Sequence, residues 1–521
     1  MRFSKASRIA GLVVAAVVAV LFTIFQLSHS VNFPIIDDYC NLFVIAEKTV
    51  REGWGVFSYA NIAEQVFSHR PVAVRVAGAL QVLLTGKIDI AALRALGVFL
   101  QVAAFAVICV GLYRGRPWSG LWIALLSLIY FQPQLSGNFS MGMQGPVQLL
   151  PLAVAGAFAL RSVNVTTGRW LAAWLCASIG LLAAINAFLA APLLLLWDLL
   201  ERRWKWAAFS LVFSGLLIVG YFWDYKVATH SGSRDFVPAD IIPGFLLMLG
   251  GVFKFSPAPL YVLMVAGAAL LLGALWCVWQ SLVSRNGFVA AMVLFILGSL
   301  AMVAVGRAGW GLEYMLQWRY TSLSLMLLMI VMGCLLPTIT ANRRGIAGTT
   351  LATLVFVFLA WHQYAPRVVN EGRAATACAM SWWLGTPAFF EAIAGSDTLV
   401  ADNTERIQSA IDAGFYAVPM HREAATMAEA CQRPLPEEEV TLSYSVAVAG
   451  YRAKLPPTAT ESAYILFANE ETGSRIAAAR SAQGVAIRKL LQAKGQSAEA
   501  LFFLPRTTQG SDIPNGTFFV P

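Results

Sequence analysis

The segment FVAAMVLFILGSLAMVAV, residues 288–305, runs for eighteen residues without a charged side chain. An α-helix rises about 1.5 Å per residue, so about twenty apolar residues cross the roughly 30 Å hydrocarbon core of a bilayer. The segment therefore predicts a membrane-spanning helix. Comparable apolar segments lie on both sides of it, at residues 207–223, 260–283, 321–336 and 347–362.

The overall composition agrees with this interpretation. Of 521 residues, 58% are hydrophobic and 12% are charged, with a mean hydropathy of +0.67. A soluble domain carries about a quarter charged residues. The net charge of +9 does not indicate a nucleic-acid partner, because the basic residues form short clusters between apolar segments, where they orient helices. We predict an all-α polytopic membrane bundle of about eleven or twelve transmembrane helices.

The N-terminal apolar segment, residues 9–27, follows a basic flank and competes with a signal-peptide interpretation. It is longer than the apolar region of a signal peptide, and no small-residue cleavage site follows it. It predicts a retained first helix with the N-terminus in the cytoplasm. Residues 28–70 then form an outer segment.

Basic clusters at residues 201–206, 284–286 and 342–344 orient the later helices, because such clusters favour the cytoplasmic side. They predict an outer loop at 306–320 and an extracytoplasmic chain beyond residue 365. The chain therefore divides into a transmembrane domain, 1–365, and a soluble domain, 366–521. Residues 71–84 either form a short helix that does not span or a spanning helix, which would exchange the sides of the loops before Leu171.

The soluble domain is predicted to be a small α/β domain, because polar residues become frequent and no apolar segment approaches spanning length. Residues 397–402 and 463–468 predict strands, and residues 405–413 and 474–494 predict helices. Cys378 and Cys431 either form a disulfide or remain two buried thiols. No CxxC, P-loop, HExxH or G-x-G-x-x-G motif occurs, which argues against common metal, nucleotide and redox sites.

The first candidate site is the acidic pair Asp37 and Asp38, just before a predicted amphipathic helix over residues 39–52. Adjacent residues do not share a helix face, so the two carboxylates are expected to do different work. Asp38 is placed to cap the helix, which leaves Asp37 for a cavity at the membrane surface. The alternative is that both belong only to the cap or loop.

The second candidate is the step His69-Arg70-Pro71, at the start of the next apolar segment. A proline in the first turn of a helix would hold both basic side chains at the membrane interface. They either bind substrate or serve as interfacial anchors.

The third candidate is the outer loop between two clear spanning segments, which carries Arg307, Glu313, Arg319 and Tyr320. Arginine on the outer side opposes the positive-inside tendency, so a bound anion would explain it. The alternative is an ion pair from Glu313 to either arginine. A fourth candidate is Gln144, which with Gln148 either lines a cavity or hydrogen-bonds between helices.

In this order and spacing, these elements resemble the GT-C superfamily, membrane glycosyltransferases that use polyprenyl-phosphate-linked sugars. The likeness covers most of residues 8–362 and includes the stretch 181–192 running into residues 197–203. It is closest to uncharacterised bacterial GT-C-like membrane proteins. Many members have Asp-Glu and Lys-Pro-Pro where this chain has Asp-Asp and His-Arg-Pro, which leaves open the sugar, the acceptor and any need for a divalent cation.

The resemblance implies inverting transfer of a hexosyl or pentosyl group to a cell-envelope glycan, lipid or protein, as in polysaccharide biosynthesis. Asp37 and Asp38 would be the catalytic carboxylates, with Asp37 as general base, and Arg307, Arg319 and Tyr320 would bind the donor phosphate. His69, Arg70, Gln144 and Glu313 would contact substrate. No nucleotide cofactor is implied.

Two other functions stay open at the level of sequence. One is a transporter, flippase or polymerase partner that binds a lipid-linked glycan without transferring sugar, although no convincing inverted repeat is visible. The other is a scaffold whose working part is the soluble domain. Membrane lipid surrounds the chain in either case.

Overall fold

The computed structural model describes residues 4–35, 37–66, 69–114, 118–163, 166–226, 236–255, 258–284, 286–383 and 397–419, with six short strands between residues 442 and 519. The chain divides into two compact units. The first consists of Met1–Ser30, Cys40–Leu84 and Ala91–Val369, and the second of Val31–Tyr39, Thr85–Ile90 and Asn370–Pro521.

The helices are, in chain order, α1 Lys5–Ser28, α2 Val44–Glu52, α3 Tyr59–Ile62, α4 Val72–Thr85, α5 Ile90–Tyr113, α6 Gly120–Tyr130, α7 Gln144–Val147, α8 Leu149–Arg161, α9 Thr167–Ala183, α10 Ala190–Leu200, α11 Trp204–Phe222, α12 Ile241–Gly250, α13 Leu260–Val283, α14 Gly287–Gly306, α15 Trp318–Ile339, α16 Arg343–Trp383 and α17 Asp397–Asp412. Tyr39–Phe43 forms a π-helical turn. The 3₁₀ turns are Gly53–Phe57, Pro133–Asn138, Ile185–Leu189, Pro238–Asp240, Gly251–Phe253 and Leu312–Leu316.

The prediction of a multi-pass membrane bundle is confirmed. Within the described ranges, seven helices are long and apolar enough to cross a membrane. They are Lys5–Ser28, Ile90–Tyr113, Trp204–Phe222, Leu260–Val283, Gly287–Gly306, Arg319–Ile339 and Arg343–Val369. The expected eleven or twelve spans depend in addition on shorter apolar helices, namely Val72–Thr85, Gly120–Tyr130, Thr167–Ala183, Ile185–Leu200 and Pro238–Phe253.

The helix at residues 71–84 is short. α4 has 14 residues, which give it a length of about 21 Å, less than the roughly 30 Å of a hydrocarbon core. By length alone, it corresponds to the predicted short helix that does not span.

Close packing of α12 on α13 positions the outer loop of the third candidate site. A Cβ atom at Gly250 would lie 1.9 Å from the Leu263 carbonyl oxygen, and one at Gly267 would lie 2.0 Å from that of Leu246. Only glycine allows this approach. α12 in turn carries Gly244, whose Cα faces Met315 of the loop, so that a Cβ there would lie 3.1 Å from Met315 Cγ.

In the second unit, α17 is followed by a segment that pairs with two earlier stretches of chain. The Ile88 amide donates to the Phe415 carbonyl at 2.8 Å, and the Tyr416 hydroxyl donates to the Asn32 carbonyl at 2.8 Å. The six strands are β1 Leu442–Ser445, β2 Gly450–Lys454, β3 Leu466–Ala468, β4 Arg475–Ala477, β5 Glu499–Phe503 and β6 Thr517–Phe519. They form two antiparallel sheets, ordered β1-β2-β5 and β4-β3-β6.

Local predictions for this unit were partly wrong. Residues 397–402 begin α17 and do not form a strand, whereas the helix predicted at 405–413 is confirmed. Of the strand predicted at 463–468, the described part is Leu466–Ala468. Within the helix predicted at 474–494, Arg475–Ala477 is a strand and the remainder lies outside the described residues. Cys431 also lies outside them, so the Cys378–Cys431 disulfide stays a prediction.

Candidate functional site

The loop between α14 and α15, which the sequence predicts to be an outer loop, is shaped by two glycines with left-handed backbone. α14 ends at Gly306, and the Arg307 amide still donates to the Val303 carbonyl at 3.0 Å. Gly309 and Gly311 have φ angles of 95° and 93°, a region that disfavours other residues. The 3₁₀ turn Leu312–Leu316 follows, and buried Met315 anchors it against α12.

This loop brings Arg307 and Arg319 onto the same aromatic side chain. The Arg307 guanidinium carbon lies 5.5 Å from the centre of the Tyr314 ring and 4.7 Å from that of Trp310. Arg319 Nη2 donates a hydrogen bond of 3.0 Å to the Tyr314 hydroxyl. The Arg319 guanidinium carbon also lies 5.2 Å from the Tyr320 ring centre. Three predicted donor-binding residues thus share one cluster, which we call the arginine cluster: Arg307, Trp310, Tyr314, Arg319 and Tyr320.

The positive charges of this cluster are not balanced by Glu313. In the part of the chain that the structure describes, no ion pair joins Glu313 to Arg307 or Arg319, and Glu313 is exposed. Arg319 Nε is buried without a hydrogen-bond partner. The ion pair considered from sequence therefore does not hold this loop together.

The position of Arg319 in α15 also favours an anionic partner for the cluster. Arg319 lies in the first turn of the helix, where the partial positive charge of the helix dipole disfavours a cation. Gln317 at the N-cap position supplies no side-chain hydrogen bond to that turn. A helix N-terminus next to two arginines offers backbone amides and positive charge to an anion.

The acidic pair lies in the second unit, and its two carboxylates differ in burial. Asp38 is fully buried, and its Oδ2 accepts the Ile35 amide at 3.1 Å while its own amide donates to the Ile35 carbonyl at 3.0 Å. The Asp38 carboxylate therefore reaches back to an amide three residues earlier, which is one half of a capping box, and its expected role as N-cap of the following helix stays a prediction. Asp37 is partly exposed, and its catalytic role stays a prediction.

The amphipathic helix predicted over residues 39–52 is interrupted. Leu42, Ile45 and Ala46 are buried as predicted, but Asn41, expected on the polar side, is also buried, and Val50 is exposed. The π turn Tyr39–Phe43 ahead of α2 accounts for the burial of Asn41. A π turn contains more residues than an α turn and rotates the side chains before it relative to those after it.

At the His69-Arg70 step, the two basic residues separate. His69 is exposed, and its amide and carbonyl pair with those of Val66. Arg70 is 6% exposed, and its guanidinium donates to the Ala63 carbonyl and, at 2.6 Å from Nη2, to the Trp223 carbonyl. Their assignment to substrate stays a prediction.

The glutamine candidates take part in a buried chain of hydrogen bonds. Gln148 Nε2 donates to the Gln144 carbonyl at 3.1 Å, and Gln101 of α5 donates to Gln148 Oε1. The Tyr130 hydroxyl of α6 donates to Gln101 Oε1. Gln148 therefore links helices, which was one of its two sequence interpretations. A contact of Gln144 with substrate stays a prediction.

A buried charged network escaped the sequence prediction. Asp198 of α10 is fully buried and accepts hydrogen bonds from Arg161 of α8 at 2.6 and 3.0 Å, from Ser210 at 2.9 Å and from Trp170 at 3.3 Å. Glu201 accepts a further bond from Arg161 at 2.9 Å. The network joins α8, α9, α10 and α11. Its sequence signal was a single aspartate inside the apolar stretch LLLLWDLL, residues 193–200.

Metal-ligating side chains do not gather in the described residues: no group of three or more His, Cys, Asp or Glu lies close enough to hold an ion. No family model matches the chain, and neither a curated protein nor a solved structure matches it. The function is therefore inferred from the residues and their geometry.

Proposed function

We propose that this protein is a membrane glycosyltransferase that moves a hexosyl or pentosyl group from a polyprenyl-phosphate donor to a cell-envelope acceptor. The observation that carries the proposal is the arginine cluster, in which Arg307 and Arg319 meet at Tyr314 without a carboxylate partner among the described residues. Arginine suits phosphate because its planar fork presents several N–H donors. The GT-C resemblance of the sequence supports the same choice of ligand.

The proposed reaction is an inverting displacement. An acceptor hydroxyl oxygen attacks the anomeric carbon, the bond from that carbon to the phosphate oxygen breaks, and its electron pair stays on the phosphate. Asp37 takes the hydroxyl proton as general base. The sugar phosphodiester carries one negative charge and the released monoester carries up to two, so Arg307 and Arg319 stabilise the leaving group more than the substrate.

The cellular setting is part of the proposal. The arginine cluster faces the outer side of a bacterial inner membrane, where a polyprenyl-phosphate sugar serves as donor and no nucleotide sugar is needed. The chain after residue 366 is proposed to form a small extracytoplasmic α/β domain that binds the acceptor.

Donor binding tests the role of the cluster. We expect Arg319→Ala to weaken binding of a synthetic polyprenyl-phosphate sugar by about tenfold or more, because a hydrogen bond to a charged group contributes about 1.5–3 kcal/mol. Arg319→Lys should restore part of the affinity, since it keeps the charge and loses the fork. The matched control is Arg367→Ala, which removes an exposed arginine of α16. Wild-type affinity in Arg319→Ala would remove the site from the proposal.

Turnover distinguishes the enzyme from a carrier. A transporter or polymerase partner would also bind the donor and lose affinity in Arg319→Ala, but it would release no polyprenyl phosphate. Binding without release, with every acceptor class supplied, would contradict the glycosyltransferase assignment and favour the carrier.

A further inference from the structure

A groove in the first unit is separate from the arginine cluster. It lies between the ends of α9 and α11 and the outer segment around α3, with a volume of about 560 Å³. This volume falls within the roughly 300–1,000 Å³ of small-molecule pockets. Its wall is almost entirely apolar and includes Leu175, Ile179, Leu182 and Leu216.

One end of the groove is polar. Arg70 lines it and is 6% exposed, held by the carbonyls of Ala63 and Trp223. Tyr59 lies against the same guanidinium, 5.7 Å from ring centre to guanidinium carbon, and its hydroxyl donates to the Trp223 carbonyl at 3.2 Å. In the described part of the chain no carboxylate pairs with Arg70, and its Nε is buried without a hydrogen-bond partner. A fixed positive charge therefore closes the apolar groove.

The groove is long enough to hold much of an acyl chain within one lipid leaflet. Leu175 to Leu182 is seven helical steps, or about 10 Å, two-thirds of the roughly 15 Å that one leaflet contributes to the hydrocarbon core. Trp223 and Tyr59, both largely exposed, stand at the polar end, where aromatic side chains mark the headgroup level. Leu175, Leu182 and Leu216 are also largely exposed, so the groove is continuous with the apolar outer surface of α9 and α11.

We propose that this groove binds an anionic phospholipid of the surrounding bilayer. One acyl chain lies along α9 and α11, and the headgroup phosphate faces Arg70. A water-soluble anion does not fit, because the rest of the groove is lined mainly by apolar side chains and Arg70 is the charged residue that its lining contains. The groove shares no lining residue with the arginine cluster, and the lipid takes the place of the substrate contact predicted for Arg70, so the inference does not depend on the proposed function.

Photolabelling in nanodiscs tests this inference directly. The full-length protein is placed in phosphatidylcholine nanodiscs that contain a small fraction of phosphatidylglycerol with a diazirine on one acyl chain. After illumination, mass spectrometry locates labelled peptides. We expect labels on residues 175–182 and 216–221, and little label from the matching diazirine phosphatidylcholine.

Two variants remove the site in different ways. Arg70→Gln removes the charge, and we expect about fivefold less labelling, since one basic residue near a membrane surface contributes about that factor for an anionic lipid. Gly220→Leu fills the groove, and a Cβ there meets no atom within 4 Å, so the fold should tolerate it. It should reduce labelling at least as much while leaving Arg70 in place.

The control for Arg70→Gln is Arg51→Gln, which removes an exposed arginine of the same outer segment. The control for Gly220→Leu is Gly215→Leu, which adds the same side chain to α11 outside the groove. A Cβ at Gly215 also meets no atom within 4 Å. Both should label as the wild type does. Unchanged labelling in Gly220→Leu, or equal labelling by the two lipids, would overturn the proposal. Displacement of the label by polyprenyl phosphate but not by unlabelled phosphatidylglycerol would also overturn it, because the groove would then belong to the donor.

Discussion

Asp37 and Asp38 are adjacent in sequence, yet we predict that substitutions at the two positions have different effects, on turnover and on stability respectively. Asp38 is buried and accepts the Ile35 amide, so Asp38→Ala should destabilise the protein by about 1 kcal/mol, as loss of a helix cap does. Asp38→Asn should be milder, because an amide oxygen still accepts that bond. Thermal unfolding of the purified variants measures the difference.

Asp37→Asn should show the opposite behaviour. It keeps shape and hydrogen bonding but cannot take a proton, so turnover should fall by about a hundred- to ten-thousand-fold with unchanged unfolding temperature and donor affinity. Steady-state kinetics on both variants decides the division of roles. Near-normal turnover in Asp37→Asn with a dead but stably folded Asp38→Asn would invert it.

Asp198 is predicted to be the most sensitive charged residue for stability. Its side chain and that of Arg161 are 1% and 2% exposed, so removing one partner leaves a buried charge unpaired. Asp198→Ala should cost about 3–5 kcal/mol, seen as a large drop in unfolding temperature and in yield of folded protein. Glu201→Gln should cost much less, because Glu201 is partly exposed. Equal stability of the two variants would contradict this role for the network.

The sequence predicted the charged residues of the candidate site better than it predicted the residues that they contact. Arg307 and Arg319 stood out because arginines in a predicted outer loop need an explanation, and the structure gathers them with the adjacent Tyr320. Tyr314, which joins them, carries no unusual sequence signal, since a tyrosine in an interfacial loop is ordinary. Which side chains meet is set by the two glycine turns and by the packing of Met315, both tertiary properties.

At the scale of elements, ion pairs from one glutamate to two basic residues hold the outer segment against α4. Glu64 pairs with Lys48 at 2.9 Å and with Arg75 of α4 at 3.1 Å. Partial burial alone would raise the pKa of Glu64, but the hydrogen bond from Lys48 and the charges of Arg75 and Lys48 lower it below its ordinary value of 4.5. A group whose pKa is lowered by folding stabilises the folded state at pH values above its unfolded-state pKa. That stabilisation is lost as the pH falls through its folded-state pKa.

The pH dependence of stability should therefore change in Glu64→Gln. We expect the variant to unfold at a lower temperature than the wild type at pH 7, and the gap to close as the pH falls below about 4.5. The gap should be modest, because the Glu64 side chain is 45% exposed. Glu47→Gln, at the exposed pair with Arg51, is the control. A gap that stays constant down to acid pH would show that the charge of Glu64 contributes nothing.

Apolar length predicted the spanning helices well and their ends poorly. The apolar segment 347–362 stops short of Pro366, but α16 continues to Trp383. Tyr364, Val368, Ala375 and Ala379 recur at helical spacing and are all buried, so a packed face continues past the proline. Burial of that face outweighs the lost backbone hydrogen bond, which a hydropathy pattern does not register.

Short apolar runs were the other source of error. The stretch DTLVAD, residues 397–402, was assigned to a strand because its apolar core is only a few residues long. Periodicity does not separate a short buried strand from the first turn of a helix, and the helical pattern becomes clear only with the following residues. The structure has one helix, Asp397–Asp412, through both.

At the scale of the whole molecule, orientation rests on the basic clusters near Arg202, Arg285 and Arg343. They predict that the chain end at residue 521 lies outside the cytoplasm. An alkaline phosphatase fused there should be active and a green fluorescent protein dark. The reverse pattern would place the second unit, and the outer loop with the arginine cluster, on the cytoplasmic side.

The most direct test of the glycosyltransferase proposal is release of free polyprenyl phosphate by the purified, reconstituted protein. The measurement follows a synthetic polyprenyl-phosphate sugar with time, in the presence of glycan, lipid and protein acceptors in turn. We predict release that requires one acceptor class, disappears in Asp37→Asn and falls with donor affinity in Arg319→Ala. A wild-type protein that binds the donor tightly but releases no polyprenyl phosphate with any of these acceptors would contradict the proposed function.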